Sequence, residues 1–146
     1  MLKDYPDHHD AEIVMRVYEM RREPVLRESR AALAMWWPGT LEDVMALIKS
    51  DHPLNAPFRQ VQGYWEMVYS MVKHRIVDAD FFIENNGEGM FFFAKVAPFL
   101  DQIRTATSSP KLFGNAEWIE NETELGRQIF QRMSARAQMM RDAKKA

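Results

Sequence analysis

The sequence predicts an all-α fold, a single-domain antiparallel bundle of six to seven helices over residues 1–146. Three observations predict it. Glycine is scarce (6) and methionine plentiful (11), a balance that favours helix over turn-rich sheet. Apolar residues recur at 3–4 spacing, and period-2 alternation is nowhere sustained. Cap signals and prolines punctuate the chain at helix-length intervals. Together they place helix content above roughly 60%, against about 30–35% for soluble proteins at large.

The first helix begins near Asp7 or Asp10, either of which can accept from the free amides of a helix start. Ile13, Val14, Val17, Tyr18 and Met20 form its apolar face. Pro24 either kinks this helix or opens a new one in its first turn. Val25 to Met35 is helical again, with Leu26, Ala32, Leu33 and Trp36 as candidates for burial, and Trp37-Pro38-Gly39 is a stop. Thr40 and Asp43 have the spacing of a capping box. They start a short helix reaching about Lys49, with Leu41, Val44, Met45 and Ile48 on its core face.

After a loop over residues 51–57, a helix over 57–75 carries the strongest pattern in the chain. Phe58, Val61, Trp65, Val68, Val72 and Ile76 are spaced three or four apart and form one seam. Asp78 or Asp80 caps a short helix from Phe81 to Asn85, and Asn86-Gly87 ends it. Gly89 to about Arg104 makes a further helix containing Pro98. Residues 105–115 are a loop rich in Ser, Thr, Pro and Gly. Asn115 or Asn121 caps the last helix, whose stripe is Leu125, Ile129, Phe130, Met133, Ala137 and Met140. Residues 1–9 and 142–146 are expected to fray.

Composition excludes several functions. The chain has no cysteine, so disulfides, thiolate zinc, iron–sulfur ligation and a Cys nucleophile are all ruled out. A net charge of −2 and a pI of about 6.1 give no general basic field for nucleic acid. The longest apolar stretch, Gly89 to Leu100, is interrupted by Lys95 and Pro98, whereas a membrane span needs roughly 18 or more apolar residues. The charged opening residues do not read as a signal peptide. The expectation is a cytoplasmic protein with no membrane span, no cofactor and no nucleic-acid partner.

Candidate chemistry is sparse. His8, His9, Asp10 and Glu12 are the one cluster of plausible metal ligands, but consecutive helical residues point about 100° apart and share an ion poorly. A solvated helix start explains them. No Glu-x-x-His pair supports a di-metal bundle. Glu66 and His74 lie about 120° and 160° from the centre of the seam, which turns both towards water. Glu84 and Glu88 flank a turn and read as a solvated junction, with Glu88 favourably near a helix start. Arg16, Arg21, Arg22, Arg27 and Arg30 interleave with Glu19, Glu23 and Glu28 in the manner of a salt-bridged exposed face. Arg136, Arg141, Lys144 and Lys145 suit the dipole at the end of the last helix.

Apolar excess is the signal above background. Tyr64, Met67 and Met71 form a second stripe about 110° from the seam. A helix apolar on two sides is either central in its bundle or packed against another molecule.

From about residue 20 to 120, the order of features resembles an uncharacterised bacterial family labelled only as a domain of unknown function. Tyr64-Trp65-Glu66, Ile76-Val77-Asp78-x-Asp80, Phe91 to Phe93, Pro98-Phe99 and Arg104 carry the resemblance. Members often have an N-terminal membrane helix, a kind of stretch this sequence lacks. They also tend to place glycine where Arg75 stands. If that position is a left-handed helix end, arginine there costs roughly 1 kcal/mol relative to glycine. The resemblance implies a fold and no activity.

The reading is a non-catalytic interaction or scaffolding module, homodimeric through Tyr64, Met67 and Met71. One alternative is a binder of small molecules or lipid tails, with a pocket among Trp65, Phe92 and the last helix. The other is a hydrolase or metal enzyme, for which no convergent set of titratable residues stands out.

Overall fold

The computed structural model describes residues 4–145. Among these residues it contains nine α-helices and no strand. They are α1 (His8–Arg22), α2 (Pro24–Ala34), α3 (Leu41–Ile48), α4 (Asn55–Lys73), α5 (Ala79–Asn85), α6 (Glu88–Val96), α7 (Leu100–Thr107), α8 (Gly114–Glu122) and α9 (Glu124–Lys145). A 3-10 turn, Ala97–Phe99, joins α6 to α7. Helix makes up 78% of the structure. Residues 1–3 and 146 of the ends expected to fray lie outside the described residues.

The helix count exceeds the expected six to seven for two local reasons. Pro98 has no N–H to continue an α-helix, and the chain tightens there into 3-10 geometry. At Thr123 the backbone becomes extended, and its Oγ1 accepts from Gly126 N at 3.0 Å to start α9. Thr123, not Asn121, therefore begins the last helix. Asn115 lies just inside α8, which Phe113 opens in a left-handed conformation.

Most other boundaries follow the sequence signals. Asp7 and Asp10 close a capping box at α1, and Thr40 and Asp43 close one at α3. Pro24 opens α2, where the Glu23 carboxylate accepts from Val25 N and Leu26 N. Asp78 caps α5 through Phe81 N at 2.9 Å. Asp10 departs from expectation because it is buried and also accepts from Asp78 N at 2.9 Å. One carboxylate thus ties the start of α1 to the start of α5.

Helix α4 is the centre of the fold and packs chiefly on α2 and α8, while α9 packs on α6 and α8. The seam residues from Phe58 to Val72 are buried as their spacing requires. Tyr64-Trp65-Glu66 advance about 100° per residue and so address three neighbours. The Tyr64 hydroxyl donates to Val17 O of α1 at 2.6 Å. Trp65 enters the core. Glu66 accepts from Asn115 N at 2.9 Å and Ala116 N at 3.0 Å, capping α8. Glu66 was expected in water, but the free amides of α8 draw it inward, and burial raises its pKa against those bonds.

Ile76 leaves the seam and is 58% exposed. The helix stops at Lys73, Arg75 takes φ 60°, and the reversal turns Ile76 outward and Val77 inward. Arg75 therefore occupies a left-handed position that favours glycine. Arg75→Gly should stabilise the protein by about 1 kcal/mol, read as a higher urea midpoint with an unchanged slope.

Candidate functional site

Two concave features border α4. The larger is an open groove of about 530 Å³ between the α1–α2 junction and α4. Met20, Leu26, Gly63, Tyr64 and Met67 give it an apolar lining. Glu23 stands on one wall, and Arg59 with Gln60 stands on the other. Backbone donation from Leu26 and Val25 lowers the Glu23 pKa, so its carboxylate is ionised at neutral pH. Arg59 is exposed and forms no ion pair among the described residues.

Gly63 shapes the groove. A Cβ there would meet nothing within 4 Å, so a mid-helix glycine leaves open space where most residues would project. One turn on, Met67 projects beside that space and is 45% exposed. Tyr64 lines the groove but is only 6% exposed, because its hydroxyl is committed to Val17 and receives Arg21 Nη1 at 3.2 Å. Met71 is half-buried against the core. Of the three residues proposed for a partner surface, Met67 presents itself, Tyr64 contributes an edge and Met71 packs mainly within the chain.

The second feature is a cavity of about 80 Å³ between α2, α4 and α6, beside Trp65, Phe92 and Lys95. Lys95 is 2% exposed although it is charged. Its Nζ donates to Leu33 O at 2.7 Å and Ala34 O at 3.3 Å, the last carbonyls of α2. Trp37 and Phe91 offer it their ring faces at 4.3 and 5.1 Å. Burial lowers its pKa to about 8, against a smaller upward pull from Glu88. Spacing did not single out Lys95; the available signal was one lysine inside the longest apolar run.

This shift carries a pH prediction. Folded Lys95 releases its proton near pH 8 and the unfolded chain near 10.5, so between these values the unfolded state holds more protons. Stability should rise with pH across that window relative to Lys95→Met, and the difference should be flat below it. Denaturant midpoints of both proteins at several pH values measure this. The charges facing Lys95 are Glu88, Arg30, Arg136 across the Phe91 ring, and Arg141, which donates to Lys95 O. Parallel pH curves for the two proteins would contradict the assignment.

The other candidates disperse. His8, His9, His74 and Glu84 are exposed, and His52 Nδ1 accepts from Leu54 N. Glu88 is held by Arg30 through bonds of 2.7 and 2.9 Å. Arg21 bridges Tyr64 and Asn86, so two of the five N-terminal arginines are internal clasps. Arg141 is buried and donates to Pro38 O, Ala94 O and Lys95 O, which makes it a fastener between α9 and the core instead of a dipole charge. Among the described residues no group of three or more His, Cys, Asp or Glu can hold a metal ion. Likewise, no described helix is long and apolar enough to cross a membrane.

The model of a family described as a domain of unknown function (DUF4760) matches residues 6–123. The match spans α1 to α8 and stops where α9 begins. No curated protein and no solved structure gives a significant match.

Proposed function

Because the chain belongs to the family of the domain of unknown function DUF4760, whose description names no activity, we propose from its surface that it is a cytoplasmic, non-catalytic interaction module that forms a two-fold homodimer through the α4 groove. The observation that carries this reading is the pairing of an exposed Met67 with the open space at Gly63, one turn apart on the same helix. A two-fold axis between these positions seats each Met67 over the other copy's Gly63. A two-fold contact needs one self-complementary patch, and a knob beside a hole supplies it.

Charge supports the same arrangement. Glu23 and Arg59 stand on opposite walls of the groove, so the two-fold brings the carboxylate of one copy towards the guanidinium of the other. Met67 adds an unbranched, adaptable side chain suited to such a contact. Burying Met67 and Met20 also removes exposed apolar area from water. The cavity beside Trp65 and Phe92 is about 80 Å³, well below the roughly 300 Å³ at which pockets begin to hold drug-sized ligands. That size speaks against a lipid-tail pocket at Trp65 and Phe92.

Gly63→Leu tests the hole. As a monomer the variant should be at least as stable as the parent, because an exposed helical glycine costs about 1 kcal/mol relative to ordinary helix formers. As a dimer it should dissociate, since leucine occupies the place of the partner's Met67. Met67→Lys should have the same effect by burying a charge. Sedimentation equilibrium on the parent and both variants reads the outcome. Unchanged association in Gly63→Leu would overturn the reading.

A further inference from the structure

Charge is unevenly distributed along the chain. The protein carries a net charge of −2, yet α9 alone holds six basic residues and only two acids, Glu124 and Asp142. Helical phase separates the signs further. At about 100° per residue, with buried Ala137 taken as the inward direction, Glu124 and Asp142 both turn to one side of α9. Arg132, Arg136, Met139 and Met140 all turn to the other. Glu124 is engaged by Arg127 and Asp142 by Gln138, whereas Arg132 and Arg136 are exposed and form no ion pair among the described residues.

The same flank gathers apolar surface. Met139 is 70% exposed and Met140 40%. Met140 lies one turn from both Arg136 and Lys144. Arg136 covers the Phe91 ring at 5.3 Å, Phe91 meets half-buried Trp37 at 5.4 Å, and Lys144 donates to Trp37 O at 3.3 Å. These contacts hold Trp37 against this flank, and Met35, two residues earlier, is 81% exposed. Methionine, tryptophan and unpaired cations therefore share one face, and none of them lines the α4 groove.

We propose that this face is a docking surface for an anionic lipid bilayer, with α9 lying along it. No described helix is long and apolar enough to cross a membrane, but a helix with basic residues beside apolar ones binds in the interface plane. The cations match acidic headgroups, and their long stems carry charge to headgroup level while the methionines enter the acyl boundary. Trp37 presents an amphipathic ring of the kind enriched at that depth. Nucleic acid would also attract the cations, but its phosphates give the exposed methionines nothing to bury against.

The test sediments the full chain with lipid vesicles, one set of phosphatidylcholine and one of phosphatidylcholine with an equal part of phosphatidylglycerol. The protein should pellet with the anionic vesicles and not with the neutral ones, and added salt should release it. Arg132→Gln should weaken binding about fivefold, the worth of one cation near a charged surface. Met139→Ser should weaken it as well, which separates lipid insertion from an electrostatic contact alone. Both positions are exposed, so the circular dichroism of the variants should match the parent. Lys111→Gln, which removes an exposed cation from the α7–α8 connection, should leave binding little changed. Failure to pellet with anionic vesicles would overturn the proposal, whether or not a DNA duplex is bound instead. So would equal binding to neutral vesicles, binding indifferent to Met139→Ser, or a loss in Lys111→Gln equal to that in Arg132→Gln.

Discussion

Trp65→Ala should lower the stability of the protein by about 3–5 kcal/mol, the range for truncating a large aromatic in a packed core. Trp65 sits at the middle of the α4 seam, flanked by buried Val61 and Val68. Its ring lies 5.0 Å from Tyr64 and 5.3 Å from Tyr69, with the Arg21 guanidinium over it at 5.4 Å. Removing it also takes away the wall against which α6 packs. Urea unfolding followed by circular dichroism measures the loss. A variant that melts with the parent would show that the seam faces elsewhere.

Gly89→Ala should be destabilising by about 1–3 kcal/mol, the usual penalty for overfilling a tight core. The start of α6 lies directly on two aromatic rings. A Cβ at Gly89 would come within 2.6 Å of Tyr69 Cε2 and 2.7 Å of Trp65 Cδ2. Neither ring has room to move, because Tyr69 is fully buried and its hydroxyl donates to Asn86 O at 2.8 Å. Gly63→Ala is the internal control. It adds the same methyl to a helix in open space, and it should be neutral or stabilising where the dimer is absent. Equal melting temperatures for the two alanine variants would contradict the close approach of α6 to α4.

The sequence made local features legible because their causes are local. Thr40 and Asp43, Asp78, and Pro24 act on amides within a few residues, and their spacing alone reveals them. The α4 seam was legible for a related reason: burial follows helical phase until the helix ends. Ile76 fell outside the seam because the left-handed turn at Arg75 breaks that phase. Polar residues that serve distant backbone were the least legible. Glu66 caps a helix starting about fifty residues later, and Arg141 donates to a carbonyl 103 residues away. Periodicity places such residues on the solvent side, and only tertiary packing supplies their partners.

The candidate site was legible to the same degree. Apolar excess on α4 pointed to the face that lines the groove, yet it could not distinguish Tyr64, spent on α1, from Met67, left at the surface. Gly63 escaped notice because an absent side chain leaves no hydrophobic signal. Its meaning emerges once the α1–α2 junction stands opposite and defines a groove.

The distance between two copies of α4 tests the proposed dimer most directly. The chain has no cysteine, so Lys73→Cys provides a single site for a spin label at the end of α4. Position 73 lies about 12 Å along the helix from a two-fold axis between Gly63 and Met67, at 1.5 Å per residue. Antiparallel crossing then brings the two labels to within about 25–35 Å once helix separation is included. Dipolar spectroscopy should show a distance in that range, and Gly63→Leu in the same labelled background should erase it. A labelled parent with no dipolar modulation at high micromolar concentration, or with one that Gly63→Leu leaves intact, would contradict the α4 groove as the interface.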